Sequence, residues 1–118
     1  MTIEVEEHRW CQRKYLTLDV NLRFENRSYR CRTRNLCIGG MFVDLGIAMI
    51  PPRSRVLIEV EYFAKGKRIR HDFQTMVAHA TLRGYGLSFQ DFNIEDFRVL
   101  QELLRSGEVR SSHLQLVQ

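Results

Sequence analysis

No apolar run in this chain approaches the roughly 20 residues that a membrane span needs, and the opening MTIEVEEH is acidic where a secretory leader would carry an apolar core. A spanning helix and an export signal are therefore not expected, and the sequence points to a soluble, cytoplasmic protein. Cysteine is scarce. Cys11, Cys31 and Cys37 form no C-x-x-C pair and have no histidine at zinc-finger spacing. An odd count of this kind argues against a disulfide framework and against structural zinc, and it fits a reducing compartment. Catalytic signatures are missing too: there is no H-x-x-x-H, G-x-S-x-G or P-loop pattern, and His8, His71, His79 and His113 are scattered. Glu59 and Glu61 would share a strand face, as an acid and a base could, but such pairs are more often plain surface. His71 and Asp72, being adjacent, fall on opposite faces of any strand. The expectation is a non-enzymatic protein with no metal site and no cofactor.

What is present suits one small domain. The chain has 118 residues, 44% of them hydrophobic, and a net charge of +4, within the usual size of a single-core unit. The basic excess comes mainly from arginine spread along the chain, which favours anionic partners, since the planar guanidinium grips phosphate and guanine edges in a bidentate way.

Alternation dominates the middle of the sequence. Leu16, Leu18, Val20, Leu22 and Phe24 alternate with polar residues, the period of a half-buried strand. A turn is expected at Glu25–Ser28. A second strand follows, with Arg30, Arg32 and Arg34 on one face. Gly39-Gly40 then interrupts an apolar run, Pro51-Pro52 marks a loop, and Lys65-Gly66-Lys67 marks a hairpin between strands at 55–63 and about 69–80. With a last strand near 84–89, the pattern predicts an all-β-dominated fold, a small antiparallel barrel or sandwich of six or seven strands. One C-terminal helix follows. Asn93 can cap it, Phe92 and Phe97 are placed as a hydrophobic staple, Phe97, Leu100, Leu103 and Leu104 share a face, and Ser106-Gly107 is expected to stop it. Such a helix would lie across an end or side of the barrel, leaving residues 108–118 as a tail, either disordered or able to add a strand to a partner.

Two short stretches carry the functional signal: R-W-C-Q-R at 9–13 and N-L-C-I-G-G at 35–40. In this order, separated by a hairpin and followed by GMFV, a proline-marked loop, GYGLSF at 84–89 and a helix, they resemble the R-x-x-x-R and [D/N]-x-[S/A]-x-x-G motifs of the PilZ domain family. The resemblance covers roughly Glu7 to Arg105. It implies a PilZ-like barrel with one closing helix, a domain spanning 1–107 with an arm at 1–14, a barrel at 15–90 and a helix at 93–105. It also implies a bacterial receptor for cyclic di-GMP. Arg9 and Arg13 would wrap over the ligand, pairing with phosphate or with guanine O6 and N7. Asn35, Cys37 and Gly40 would form the floor, with His8 and Gly39 as flanking contacts. Cys37 departs from the preferred serine, and a thiol is the poorer hydrogen-bond donor.

A receptor of this kind implies an effector protein in trans, in motility, exopolysaccharide or biofilm control. The alternative is a PilZ-like protein-interaction module that binds no nucleotide. A third class, nucleic-acid binding through the Arg30, Arg32 and Arg34 face, is disfavoured because no aromatic array is interleaved with those arginines.

Overall fold

The computed structural model describes residues 14–46 and 49–117, with side chains as far as Arg105. Its strands are β1 (Asp19–Phe24), β2 (Arg27–Cys37), β3 (Gly40–Asp44), β4 (Arg55–Ala64), β5 (Lys67–Ala80) and β6 (Gly84–Phe89), and they are followed by helix α1 (Ile94–Val117). The strands close into an antiparallel barrel in the order β1-β2-β3-β6-β5-β4, so the expected fold class holds. Closure leaves no open sheet edge to be protected.

Inward residues follow the alternation read from the sequence. Leu22, Val43, Ile58, Phe73 and Val77 are fully enclosed and belong to one apolar cluster with Val99, Leu100 and Leu103 of α1. Leu16 and Leu18 are buried in that cluster although β1 begins only at Asp19. Their anchor is Thr33, whose hydroxyl donates to the Leu16 carbonyl at 2.6 Å and accepts from the Leu18 amide at 2.9 Å. A buried hydroxyl thus supplements the one backbone bond at this point, from the Thr33 amide to the Leu18 carbonyl at 2.9 Å, where the strand has not yet formed.

The turns are tighter than the sequence suggests. Only Glu25 and Asn26 connect β1 to β2, since Arg27 and Ser28 already pair with Phe24 and Arg23. Lys65 and Gly66 both have positive φ, 53° and 76°, as a two-residue type I′ hairpin requires.

At the helix start, Asn93 and Asp96 cap each other: the Asp96 amide donates to Asn93 Oδ1 at 2.8 Å and the Asn93 amide to Asp96 Oδ2 at 3.0 Å. This is capping-box geometry with Asp in place of Glu. Phe92 stacks on Phe89, with centroids 5.0 Å apart. The expected stop at Ser106-Gly107 is overturned, because the helical backbone continues through Val117. One glycine inside a helix costs only about 1 kcal/mol relative to alanine, and no proline follows to end the turn. Residues 108–117 are therefore helical, neither a coil nor a strand.

Candidate functional site

The site is assembled by two β-bulges. In β2 the inward residues are Cys31 and Thr33, so strict alternation would turn Asn35 into the core and Leu36 outward. The register instead shifts between Thr33 and Asn35. Arg34 is the extra residue, Leu36 is fully buried, and Asn35 is only half-buried. In β5 the inward residues are Phe73, Thr75 and Val77, and a second shift between Val77 and His79 leaves His79 exposed where parity would have buried it. A bulge adds one residue to one strand and so reverses the facing of everything after it.

Both reversals fall on one row. Asn35 pairs with Phe42, Phe42 with Gly86, and Gly86 with His79, across β2, β3, β6 and β5. Gly86 has no side chain, so the His79 ring lies over it; a Cβ there would come 2.2 Å from His79 Cε1. The same ring faces Phe42 with centroids 6.3 Å apart, and the Arg34 guanidinium sits over Phe42 at 5.8 Å from its centroid. Asp44 holds Arg34 from the side, 2.9 Å away. The result is a cation over a benzene ring, with an imidazole tilted against that ring at 36°, on the barrel's outer wall, and an amide at one end. Planar π-faces of this kind stack on heterocycles, and the cation attracts anions.

The second motif borders this row. Its turn is at Ile38-Gly39, not at Gly40, which is the first residue of β3 and pairs with Cys37. Gly40 does not adopt the left-handed conformation. Its requirement is closeness: a Cβ would lie 1.9 Å from the Leu87 carbonyl oxygen on β6. The Gly39 carbonyl accepts from the Phe89 amide at 3.0 Å.

Of the first motif, His8, Arg9 and Arg13 lie outside the described residues. The residue after it is placed. Lys14 and Leu36 exchange backbone hydrogen bonds, each 2.9 Å, in an isolated antiparallel bridge. The chain thus enters the barrel beside Asn35 and Cys37.

The cysteine expectation needs correction at one position: Cys37 is disulfide-bonded, so its sulfur is not the free thiol the sequence led one to expect. Cys31 is a free, buried thiol, pushed up to about 11 by burial and then by the charge of Asp44.

The remaining candidates separate from this face. Arg32 pairs with Asp19 at 3.2 Å and Arg34 with Asp44, so two of the four β2 arginines are committed within the protein. Glu59 is enclosed by Asn21 at 2.8 Å, Arg23 at 3.2 Å and Arg70 at 2.6 Å. The Asn21 amide and the two guanidiniums hold its carboxyl below the usual glutamate range against the opposing effect of burial. That is a cross-strand tie on the wall formed by β1, β4 and β5. His71 meets Asp96 of α1 at 2.6 Å, not Asp72. Arg34, Phe42 and His79 were not singled out as a group from the sequence. The only signal available was a histidine and a phenylalanine in otherwise apolar runs, and the bulges that expose them have no composition of their own.

The PilZ domain profile matches residues 7–106. The chain belongs to the PilZ domain family. Among solved structures, the PilZ domain of CeSA from a cellulose-synthesizing bacterium is similar at 16% identity with a TM-score of 0.66, covering 82% of this chain and 98% of that one. The Bacillus subtilis inhibitor of motility MotI/DgrA is similar at 18% identity with a TM-score of 0.65, covering 86% of this chain and 50% of the other. At these identities the likeness to both is one of fold. No curated protein matches the sequence. Among the described residues no helix is long and apolar enough to cross a membrane.

Proposed function

We propose that this PilZ domain is a non-enzymatic receptor for cyclic di-GMP, acting in the bacterial cytoplasm and signalling to an effector protein in trans. The observation that carries the reading is the row Asn35, Phe42, Gly86 and His79, with Arg34 over Phe42, beside the point where the arm carrying Arg9 and Arg13 enters the barrel. A cyclic dinucleotide presents two purine faces, two guanine edges and two phosphates. The aromatic row suits a face, Asn35 an edge, and the two arginines either an edge or a phosphate. A ligand lying over this wall would change the surface a partner meets, which is how a domain without chemistry of its own reports occupancy. Motility, exopolysaccharide and biofilm control are the outputs the family suggests.

One observation favours a second reading. Cys37, at the position where the family prefers a serine, has its sulfur in a disulfide, and a nucleotide-independent interaction module would tolerate that. Calorimetric titration of the full chain under reducing conditions decides between the two. The receptor predicts saturable heat with cyclic di-GMP and none with GTP. Arg13→Ala and Phe42→Ala should each weaken binding by about 1–3 kcal/mol, the size of a bidentate or stacked contact. No heat up to high micromolar ligand would leave the interaction module.

A further inference from the structure

The β4–β5 hairpin outruns the ladders on either side of it. β4 last pairs with β1 at Val20↔Val60, and β5 first pairs with β6 at Thr75↔Phe89. Among the described strands, residues 61–64 therefore pair with 67–70 alone, and the end of the hairpin is a two-stranded ribbon. Its inward face is occupied: Tyr62 is buried and Ile69 half-buried against the core that α1 shares. The outward face and the turn are not. Phe63 is 55% exposed there, and Lys65, Lys67 and Arg68 are exposed around it.

Charge is distributed unevenly along the ribbon. At its base Arg70 lies across from Glu61 and reaches Glu59 at 2.6 Å, so the positive charge is offset. Toward the tip the cross-strand pairs are Phe63 with Arg68 and Ala64 with Lys67, joined by Lys65 and Gly66. Lys65, Lys67 and Arg68 form no ion pair with any described residue. The Arg68 guanidinium sits over the Phe63 ring, 5.7 Å from its centroid. This contact holds the ring on the outward face, beside three cations whose charge nothing in the fold offsets.

We propose that the tip of this ribbon docks on an anionic phospholipid surface, with Phe63 entering the headgroup layer and Lys65, Lys67 and Arg68 meeting lipid phosphates. The shape favours a fluid surface over a folded partner. A specific protein interface buries about 800 Å² on each side, more than a two-residue turn and one ring can supply. Single-stranded nucleic acid asks for a basic groove and several open aromatic faces. Here the turn protrudes, and Phe63 is a single ring already covered by Arg68. Aromatic side chains bury in the headgroup boundary while basic residues meet anionic lipid. The stems of lysine and arginine can lie along apolar surface with the charged head still at the phosphates. Lys67 opens β5 and His79 lies near its other end, so docking at the tip leaves the outer row uncovered and does not depend on nucleotide binding there.

Sedimentation of the full chain with vesicles tests the docking. Vesicles made from equal parts of phosphatidylcholine and phosphatidylglycerol should carry the protein down at low salt, and vesicles of phosphatidylcholine alone should not. Combining Lys65→Asn with Lys67→Gln should weaken binding to the mixed vesicles about 30-fold, roughly fivefold for each cation. Asparagine suits position 65 because the backbone there has positive φ. Phe63→Ala should weaken binding several-fold without changing its salt dependence. Arg83→Gln removes an exposed charge between β5 and β6, far from the tip, and should bind like the unaltered chain. Thermal unfolding should show all these variants folded, since each altered side chain is exposed. Equal binding to the two kinds of vesicle, or binding to neither, overturns the proposal. A loss in Arg83→Gln equal to that in Lys67→Gln alone also overturns it, by making the attraction one of net charge. Tighter, ribbon-dependent binding to a single-stranded RNA than to the mixed vesicles at the same salt overturns the lipid assignment in favour of nucleic acid.

Discussion

At the scale of single residues, two glycines near the candidate site make different demands. At Gly40 a methyl group would strike the backbone of β6 at 1.9 Å, and paired strands cannot part without losing ladder bonds. Gly40→Ala should therefore destabilise the domain by about 3 kcal/mol, at the upper end of overpacking costs, read by chemical denaturation. At Gly86 the obstacle is the His79 ring, a side chain free to swing away. Gly86→Ala should cost less than about 1 kcal/mol of stability but displace the imidazole from its seat beside Phe42, and cyclic di-GMP affinity should fall several-fold in calorimetry. Unchanged affinity would remove His79 from the platform. The motif glycine is thus legible in the sequence, although what it serves in the structure is the approach of β3 to β6. Gly86 had no motif to mark its role.

At the scale of elements, α1 is fixed to the barrel by Asp96 as well as by its apolar face, on which Val99, Leu100 and Leu103 are buried. This carboxylate accepts from the Asn93 amide and meets His71 on β5. Asp96→Ala removes a cap and leaves a half-buried imidazole without its partner, so a loss of about 2–3 kcal/mol is expected by thermal or urea unfolding. The sequence placed Asn93 at the cap and Leu100 and Leu103 on the buried face. It could not show that His71, 25 residues earlier, would reach across.

Glu59 performs a comparable task among the strands, joining β1 to β5 through Asn21, Arg23 and Arg70. Its carboxyl is depressed in the folded protein, so its contribution to stability is fully present above the ordinary glutamate pKa. It is lost as pH falls through the lower folded value. Equilibrium unfolding as a function of pH should therefore show stability declining below about pH 4.5. In Glu59→Gln, which cannot ionise, neutral-pH stability should be lower and that part of the acid slope absent. An unchanged slope would assign it to other carboxyl groups.

At the scale of the whole molecule, a closed barrel offers no sheet edge for strand addition, and its interior is filled by side chains such as Phe73 and Val77. Binding must then use the outer wall, and a ligand that bridges the arm and the wall ties together segments far apart in the chain. Cyclic di-GMP at 100 times its dissociation constant should stabilise the reduced protein by about 2.7 kcal/mol, seen as a rise in melting temperature. The rise should be absent with GTP and strongly reduced in Arg13→Ala.

Local order was written into the sequence. The alternation of Leu18, Val20 and Leu22, the Lys65-Gly66 hairpin and the Asn93 cap are preferences that act within a few residues, and each predicted its element. The register was not local. Whether Asn35 and His79 face water depends on one extra residue in β2 and one in β5, and those insertions are set by how Leu36 and Val77 fill a core shared by six strands and a helix. Packing the core decided where the bulges fall, and the bulges decided which side chains form the outer row.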